Sequence, residues 1–407
     1  MKFTANTKEL LGFLAILNKI IPSHAAMPAE QTMKFCLKDN DLTIIARNYD
    51  ILFKCKMSVK GVTGGEACIY ASFLYYLIGQ LGTEEVTIDA NEQTAKVEWT
   101  GGEANVPTIN ANDFPETAPI DGTDMEIRIP AGVLYDAISK VFYLSVPNSI
   151  RPVFEAVVLD VSAKKLFAVA SDTHRLAACR VSGEFQTSLK PTERQNILIS
   201  RPMNAILKNI LADSNEEATI LAGNGKVVFR TETYELSGTQ IPGKYPQWEA
   251  VIPTAATNTL KVNRDTFIKT VKRTSLGGDA YSPSIVCQLR QELVGGVAVL
   301  TSRSLANKTQ STETMPVEEY LGEELKIAFN PDFLQETLKY IPGESVWFGF
   351  TDGKHPVVCK NVLENGEPDD SLTVTIMPIM VPDDVEQVSR LAIPSPSTRH
   401  PRLKRRG

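Results

Sequence analysis

MKFTANTKELLGFLAIL, from Met1 to Leu17, returns twice along the chain in altered form. Its counterparts are MEIRIPAGVLYDAISKV, from Met125 to Val141, and LKVNRDTFIKTVKR, from Leu260 to Arg273. Superposing Phe3, Ile127 and Leu260 also aligns Ala5, Ile129 and Val262. Further on it aligns Leu10, Leu134 and Phe267, then Leu14, Ile138 and Val271. The early positions alternate, as side chains do along a strand, and the later ones recur at helical spacing. Each unit is therefore expected to open with a short strand and continue as an amphipathic helix. Pro130 suits the start of such a helix, where a missing N–H costs nothing.

The second half of each unit repeats as well. FLYYLIGQL from Phe73, MNAILKNIL from Met203 and FLQETLKYI from Phe333 read as helices. Each sets apolar residues eight apart: Phe73 and Leu81, Met203 and Leu211, Phe333 and Ile341. Alternating runs follow, such as VTIDANEQTAKVEW from Val86 and ATILAGNGKVVFR from Ala218. Asn224-Gly225 and Asp352-Gly353 are dipeptides that favour tight hairpin turns. A proline recurs after the first helix, at Pro28, Pro152 and, two residues out of register, Pro283. Each unit thus reads as two copies of a helix followed by antiparallel strands, an α+β fold repeated three times. The expected domains are 1–123, 124–253 and 254–381, with a tail at 382–407. Four prolines and a basic end give that tail the composition of a disordered segment.

Composition limits the function. The 407 residues allow several domains, each with its own core. The hydrophobic and charged fractions, 43% and 22%, are those of an ordinary globular protein. No apolar run reaches the roughly 18 residues that span a bilayer, and Met1-Lys2-Phe3-Thr4 does not open a signal peptide. A cytoplasmic protein without membrane partners is expected. Cys36, Cys55, Cys68, Cys179, Cys287 and Cys359 form no C-x-x-C pair and mostly sit in apolar runs, so they read as reduced core residues. The formal charge is −6, and the six basic and three acidic residues beyond Val381 leave −9 for the rest. Such a charge argues against nucleic acid unless the cations are gathered on one surface.

SDTHRLA, Ser171 to Ala177, is the most distinctive stretch. On a strand, Asp172 and His174 would share a face and could chelate a metal, although no third ligand lies nearby. A hydrolase reading of Ser171 and His174 lacks the strand-to-helix elbow of a nucleophile. A hydrogen-bonded turn at a strand end, built from Asp172, His174 and Arg175, is the plainer alternative. Gly223-Asn224-Gly225-Lys226 lacks the rest of a phosphate loop and reads as a hairpin turn. No paired-carboxylate, nucleotide-fold or zinc motif is present, so no cofactor, metal or catalysis is expected.

Cations recur on the helices. The first helices carry Lys8 and Lys19, then Lys140, then Lys269, Lys272 and Arg273. Lys208 and Lys339 lie on the second helices, and Arg201 near the start of one. Solvated faces would explain them singly. Equivalent helices of a pseudo-symmetric array face the same way, however, and would present these cations together to phosphate.

SIRPVFEAVVLDV, SDTHRLA, GKYPQWEAVIP and TIMPIM, with NDFP at Asn112 to Pro115 and AFNPDFL at Ala328 to Leu334, resemble signature stretches of the bacterial DNA polymerase III beta subunit family. The likeness runs in order through residues 1–381. The resemblance implies three similar clamp domains per chain and a homodimer that closes a six-domain ring, with helices lining a hole around duplex DNA. It implies a non-catalytic processivity factor that tethers the replicative DNA polymerase after placement by a clamp loader. Other clamp-binding proteins would enter through short peptides carrying Gln, Leu and an aromatic. Carried over by position, the peptide groove comprises Arg151, Phe154, Ser171, Thr173, His174, Arg175 and Leu176. It also takes in Pro246, Val251, Asn330, Phe333, Pro356, Met377, Pro378 and Ile379. An apolar floor suits Leu and aromatic anchors, and Met adapts to varied partners. The DNA-facing set gains His24 and Asn148 on loops. Departures from the family are Thr173 for a common glycine, Ala250 for an arginine and Val153 for an aromatic. The Gln387 to Leu391 segment of the tail has the Gln–Leu spacing of a partner peptide and could reach back into the groove. Two other classes of function remain: a degenerate clamp-like scaffold ring without a DNA role, and a repeat-built small-molecule enzyme, which would need a deep polar pocket.

Overall fold

A computed structural model describes residues 1–22, 28–115, 124–212, 214–293 and 295–381. The first repeat runs β1 (Lys2–Asn6), α1 (Thr7–Asn18), β2 (Thr32–Lys38), β3 (Asp41–Arg47), β4 (Ile51–Ser58), β5 (Lys60–Thr63), β6 (Gly65–Tyr70), α2 (Ala71–Gln80), β7 (Glu85–Ala90), β8 (Thr94–Trp99) and β9 (Gly102–Ile109). The second runs β10 (Met125–Pro130), α3 (Ala131–Val141), β11 (Val157–Ser162), β12 (Leu166–Ser171), β13 (Arg175–Arg180), β14 (Gln186–Thr187), β15 (Arg194–Ile199), α4 (Arg201–Leu211), β16 (Glu217–Gly223), β17 (Lys226–Arg230) and β18 (Tyr234–Thr239). The third runs β19 (Asn258–Asn263), α5 (Arg264–Ser275), β20 (Ile285–Glu292), β21 (Gly295–Ser304), β22 (Thr309–Pro316), β23 (Glu319–Leu321), β24 (Leu325–Phe329), α6 (Pro331–Tyr340), β25 (Ser345–Phe350), β26 (Val357–Asn361) and β27 (Leu372–Ile376). All three follow one order: strand, helix, five strands, helix, three strands. Each half is a strand, a helix and three strands, and a short strand (β5, β14 or β23) joins the halves.

Local chemistry sets the helix starts. Asn6 accepts the Glu9 N–H at 3.1 Å, Asn263 the Thr266 N–H at 3.0 Å, and Asn330 the Asp332 N–H at 2.9 Å. Each cap satisfies a donor that has no partner inside its helix. Pro130 itself is the N-cap of α3. The inward faces match the expected spacing, with Leu10, Leu14, Leu134, Ile138 and Val271 fully buried and Phe267 nearly so. The second helices bury Leu74, Met203 and Leu334 in the same way. Phe73 departs from expectation: it stands 52% exposed, whereas its counterpart Met203 is fully buried. Met203 is covered by β18, the last strand of its own repeat, where its sulfur lies 2.6 Å from the position a Cβ on Gly238 would take.

The chain forms two compact bodies. Residues 1–173 and 177–246 make the first; 174–176 and the chain from 247 onward make the second. In the first body a single sheet runs β14-β10-β16-β17-β18-β4-β3-β2-β6-β9-β8-β7-β1-β5, so the first two repeats share their strands. The join is an antiparallel pairing of β18 with β4, from Tyr234 opposite Cys55 to Gly238 opposite Ile51. The same body contains the strands β15-β11-β12-β13. The second body contains β27-β26-β25-β19-β23 and, separately, β22-β21-β20-β24. None of the six cysteines forms a disulfide, and burial pushes the Cys55 and Cys287 thiols up to about 12.

One turn departs from its sequence signal. Asn224-Gly225 takes positive φ at both residues (49° and 70°), as a two-residue hairpin between β16 and β17 requires. Asp352-Gly353 makes no such turn. The chain from 351 to 356 forms a longer loop in which the Asp352 carboxylate accepts the N–H groups of Lys354 and His355, at 2.7 and 2.9 Å. A short polar side chain that bonds its own backbone takes over the role of the tight turn.

Candidate functional site

The proposed groove residues fall in both bodies, and each set has its own local order. In the first body β12 ends at Ser171, and the turn to β13 occupies residues 172–174. The premise of metal chelation therefore fails: Asp172 and His174 sit in a turn, not on one strand face. Among the described residues no group of three or more His, Cys, Asp or Glu is placed to hold a metal. The turn is held by the Ser171 hydroxyl, which accepts the Thr173 N–H at 3.2 Å, a bond between residues other than the Asp172, His174 and Arg175 expected to build it. Thr173 adopts φ 75°, a left-handed conformation that suits glycine and strains a β-branched residue. Phe154 is buried and meets the Tyr245 ring edge-on at 6.0 Å, with the Arg151 guanidinium 5.5 Å from the Phe154 centroid. Burial, reinforced by the charge of Asp172, pushes the Tyr245 hydroxyl well above its ordinary range. Pro246 is exposed beside it.

In the second body, Phe333 in the first turn of α6 is packed by two of the distinctive residues. The Arg175 guanidinium carbon lies 4.4 Å from its ring centroid, and the His174 ring lies 5.5 Å away. Arg175 also donates to the Phe333 carbonyl at 3.2 Å and pairs with Glu336 at 2.9 Å. Its side chain is 5% exposed, so this cation is held for packing rather than offered to solvent. The Met377 N–H donates to the His174 carbonyl at 2.8 Å, which places the 377–379 stretch beside this cluster. The Ile379 N–H donates to Ala328, and the Ile379 side chain packs against Val286 and Ala328. Asn330 caps α6, Leu176 is buried, and Met377 is 40% exposed. Val251 is 41% exposed, and Pro356 and Pro378 are partly covered.

The helix cations differ in availability. Lys140 is bound to Asp136 one turn away at 2.6 Å. Arg273 forks onto Glu313, and that hydrogen bond holds the Glu313 carboxyl below its ordinary value. On α4, Arg201 and Lys208 lie over the same Phe142 ring, at 4.7 and 4.9 Å from its centroid, and Arg201 also donates to the Ser145 carbonyl. Burial, then the charge of Arg201, lowers the Lys208 pKa. Lys269, Lys272 and Lys339 are exposed and make no ion pair among the described residues. Asn148 is exposed at φ 56°. His24 and the whole 382–407 tail, with its Gln387 to Leu391 segment, lie outside the described residues.

Sequence reasoning missed Glu336, Phe142, Ser145 and Tyr245. Glu336 and Arg175 are 161 positions apart, and no local pattern announces such a pairing. Tyr245 was within reach, since it adjoins Pro246 in GKYPQWEAVIP.

Comparison with known families accounts for nearly the whole chain in three consecutive pieces. The DNA polymerase III beta subunit N-terminal domain matches residues 1–118, its central domain 128–247 and its C-terminal domain 249–380. The chain belongs to the DNA polymerase III beta subunit family. Among characterised relatives, the beta sliding clamp of Bacillus subtilis (strain 168) is 22% identical over 389 residues, covering 93% of this chain and 99% of the relative. That of Lactococcus lactis is 26% identical over 377 residues, covering 88% and 94%. Among solved structures, a DnaN sliding clamp from Pseudomonas aeruginosa bound to griselimycin superposes with a TM-score of 0.86 at 21% identity. It covers 94% of this chain and 100% of that one. A polymerase sliding clamp from Bacillus subtilis gives 0.81, also at 21% identity. At such identities the superpositions establish the sliding-clamp fold. No described helix is long and apolar enough to cross a membrane.

Proposed function

We propose that this chain works as a DNA sliding clamp: two copies close head to tail around duplex DNA and tether the replicative polymerase during processive synthesis. The observation that carries the reading is the threefold element order, matched in sequence by the N-terminal, central and C-terminal domains of one family. The protein acts on DNA in the cytoplasm, catalyses nothing, and needs neither nucleotide nor metal of its own. A clamp loader opens and places the ring.

The join between the first two repeats suggests how two copies close. β18, the last strand of the second repeat, pairs with β4 of the first. The equivalent of β18 in the first repeat is β9, and the equivalent of β4 in the third is β22. β22 stands at a sheet edge, and the start of β9 has only β8 beside it. Each offers an eight-residue strand with unpaired backbone groups. Pairing β9 of one copy with β22 of another satisfies both edges, and three repeats per chain close a six-repeat ring.

The DNA-facing surface is assigned to the helix cations, foremost Lys269, Lys272 and Lys339, with Lys140, Arg201, Lys208, Arg273, Asn148 and His24. The peptide groove is assigned to the two residue sets described above. It would take short Gln-led segments whose Leu and aromatic anchors meet an apolar floor. A body of charge −9 should bind free duplex weakly, so retention must come from topology. After loading, the protein should stay on nicked circular DNA and slide off once the circle is cut. Equal loss from both forms would refute the encircling reading.

A further inference from the structure

Backbone bonds pair β18 with β4 whatever their side chains, so the side chains decide how firmly this join holds. What they add is a stack of rings. Tyr234, the first residue of β18, has its ring centroid 5.7 Å from that of Phe53 on β4, with the planes 18° apart. The same ring lies 5.9 Å from Phe13 on α1, tilted by 55°. Both are arrangements that aromatic pairs favour. Tyr234 belongs to the second repeat and both partners to the first. Phe53 is fully buried, and Phe13 and Tyr234 are half-buried. Burial raises the Tyr234 hydroxyl above its ordinary value, with smaller pushes from Cys55 and Glu216.

The tyrosine is held from behind as well. Its N–H donates to the Thr231 hydroxyl at 3.1 Å, and its carbonyl accepts the Thr231 N–H at 2.8 Å. In the same turn the Thr233 hydroxyl donates to Glu216 at 2.6 Å. The Thr233 carbonyl accepts the Lys56 N–H across the join at 2.9 Å. The turn before β18 is thus tied to its own repeat on one side and to β4 on the other.

The stack occurs once in the repeated pattern. Phe13 is the seventh residue of α1 and Phe53 the third of β4. The same positions hold Ala137 and Ala177 in the second repeat, and Thr270 and Ser311 in the third. The first residue of the last strand is Gly102 in the first repeat and Leu372 in the third. Counting strand partners gives the same match. Phe3, Ile88, Val97 and Ala104 lie opposite one another in succession, as do Ile127, Ile220, Phe229 and Leu236. Gly102 therefore precedes Ala104 as Tyr234 precedes Leu236. A Cβ at Gly102 would lie 2.7 Å from the Trp99 ring, so the first repeat has no room for a tyrosine there.

We propose that Tyr234 is a latch: seated against Phe13 and Phe53, it binds the first two repeats into one unit that does not part along β18 and β4. In the ring proposed above, the latch keeps this join shut while a loader parts two copies, whose matching positions hold Gly102, Thr270 and Ser311. The latch itself is a property of the single chain and stands or falls apart from the ring.

The test is hydrogen exchange of the full chain, read at single amides of β4 by electron-transfer fragmentation. Lys56 and Thr233 form a hydrogen-bonded pair across the join, so Lys54 and Leu52, at alternate positions, also turn their N–H groups to β18. The amides of Phe53 and Cys55 turn to β3 instead and report the first repeat alone. In the parent chain the two sets should exchange at similar rates. Tyr234→Leu, which keeps apolar bulk but loses both ring contacts, should speed the Leu52, Lys54 and Lys56 set about tenfold over the other. Tyr234→Phe should leave the two sets together. Phe13→Leu, made on the other side of the join, should act in the direction of Tyr234→Leu, and it decides by the same comparison if that variant does not fold. The latch is overturned if the leucine variants change neither set or speed both alike, or if Tyr234→Phe opens the join as leucine does. None of these outcomes touches retention on circular DNA, which tests the clamp reading separately.

Discussion

Replacing Arg175 by alanine should loosen α6 far more than neutralising its acidic partner does. In the second body the guanidinium meets the face of Phe333, the Phe333 carbonyl and the Glu336 carboxylate. The ring contact contributes about 0.5–2 kcal/mol. The charged hydrogen bond to a carbonyl contributes about 1.5–3 kcal/mol. The ion pair is worth less, because Glu336 is 46% exposed and water takes over when the partner is lost; about 1 kcal/mol is its ceiling. These contributions overlap, since one group makes all three, and about 3 kcal/mol for the whole side chain is a fair total. Glu336→Gln removes only the ion pair. A chain with several repeats does not unfold in one step, so the assay must be local. Hydrogen exchange over residues 331–340 supplies it. Arg175→Ala should speed exchange there about 100-fold and Glu336→Gln less than about 10-fold. Equal effects would mean that the ion pair, not the aromatic stacking, holds Arg175. No effect from either would remove Arg175 as the support of Phe333.

Two further substitutions probe the backbone of the first body. A Cβ at Gly238 would lie 2.6 Å from the Met203 sulfur and 2.9 Å from the Asp50 carbonyl oxygen, so Gly238→Ala should cost about 1–3 kcal/mol and speed exchange in β4. Gly82→Ala, which meets nothing within 4 Å, is the neutral control, and equal behaviour of the two would refute the packing argument. Thr173→Gly should leave the β12–β13 turn no less stable: relief of a left-handed conformation, about 1–2 kcal/mol, exceeds the entropy glycine loses on folding, about 0.5–1 kcal/mol. Faster exchange in that turn would show that the threonine side chain, not glycine-like backbone, secures it.

Much of the fold was legible because it is written three times. A single alternating run such as VTIDAN is ambiguous, but three helices that follow strands and bury Leu10, Leu134 and Phe267 at one register leave little freedom. The shared sheet of the first body was not legible. Nothing in YELSG or ILFKC states that β18 will find β4, because pairing between repeats depends on which edges are left open. The Asp352 loop was misjudged for a local reason: the carboxylate competes for the backbone donors that a two-residue turn would leave free. At the candidate site the residues of SDTHRLA were recognisable by type, yet their roles were not. The sequence put Arg175 in a turn or a groove, and burial makes it a brace for Phe333.

The three repeats share a core and differ in what their helices expose, and this division follows from how each kind of position is constrained. Leu14, Ile138 and Val271 lie inside a close-packed interior, where a change of volume is felt at once. The outward positions carry no such constraint. On α2 they are uncharged, while α1 keeps Lys8 and Glu9 exposed, and Lys8 joins two glycines and two tyrosines around a depression. On α4 the two cations are laid over Phe142, which fixes their direction and partly desolvates Lys208. On α5 and α6, Lys269, Lys272 and Lys339 remain exposed and unpaired among the described residues. If these lysines face DNA as proposed, a body of net charge −9 would owe its affinity for phosphate to them rather than to the overall field. Weak, evenly exchangeable contacts suit a protein held on DNA by closure. A tightly bound surface would resist sliding, whereas closure of the proposed ring would hold DNA without gripping it.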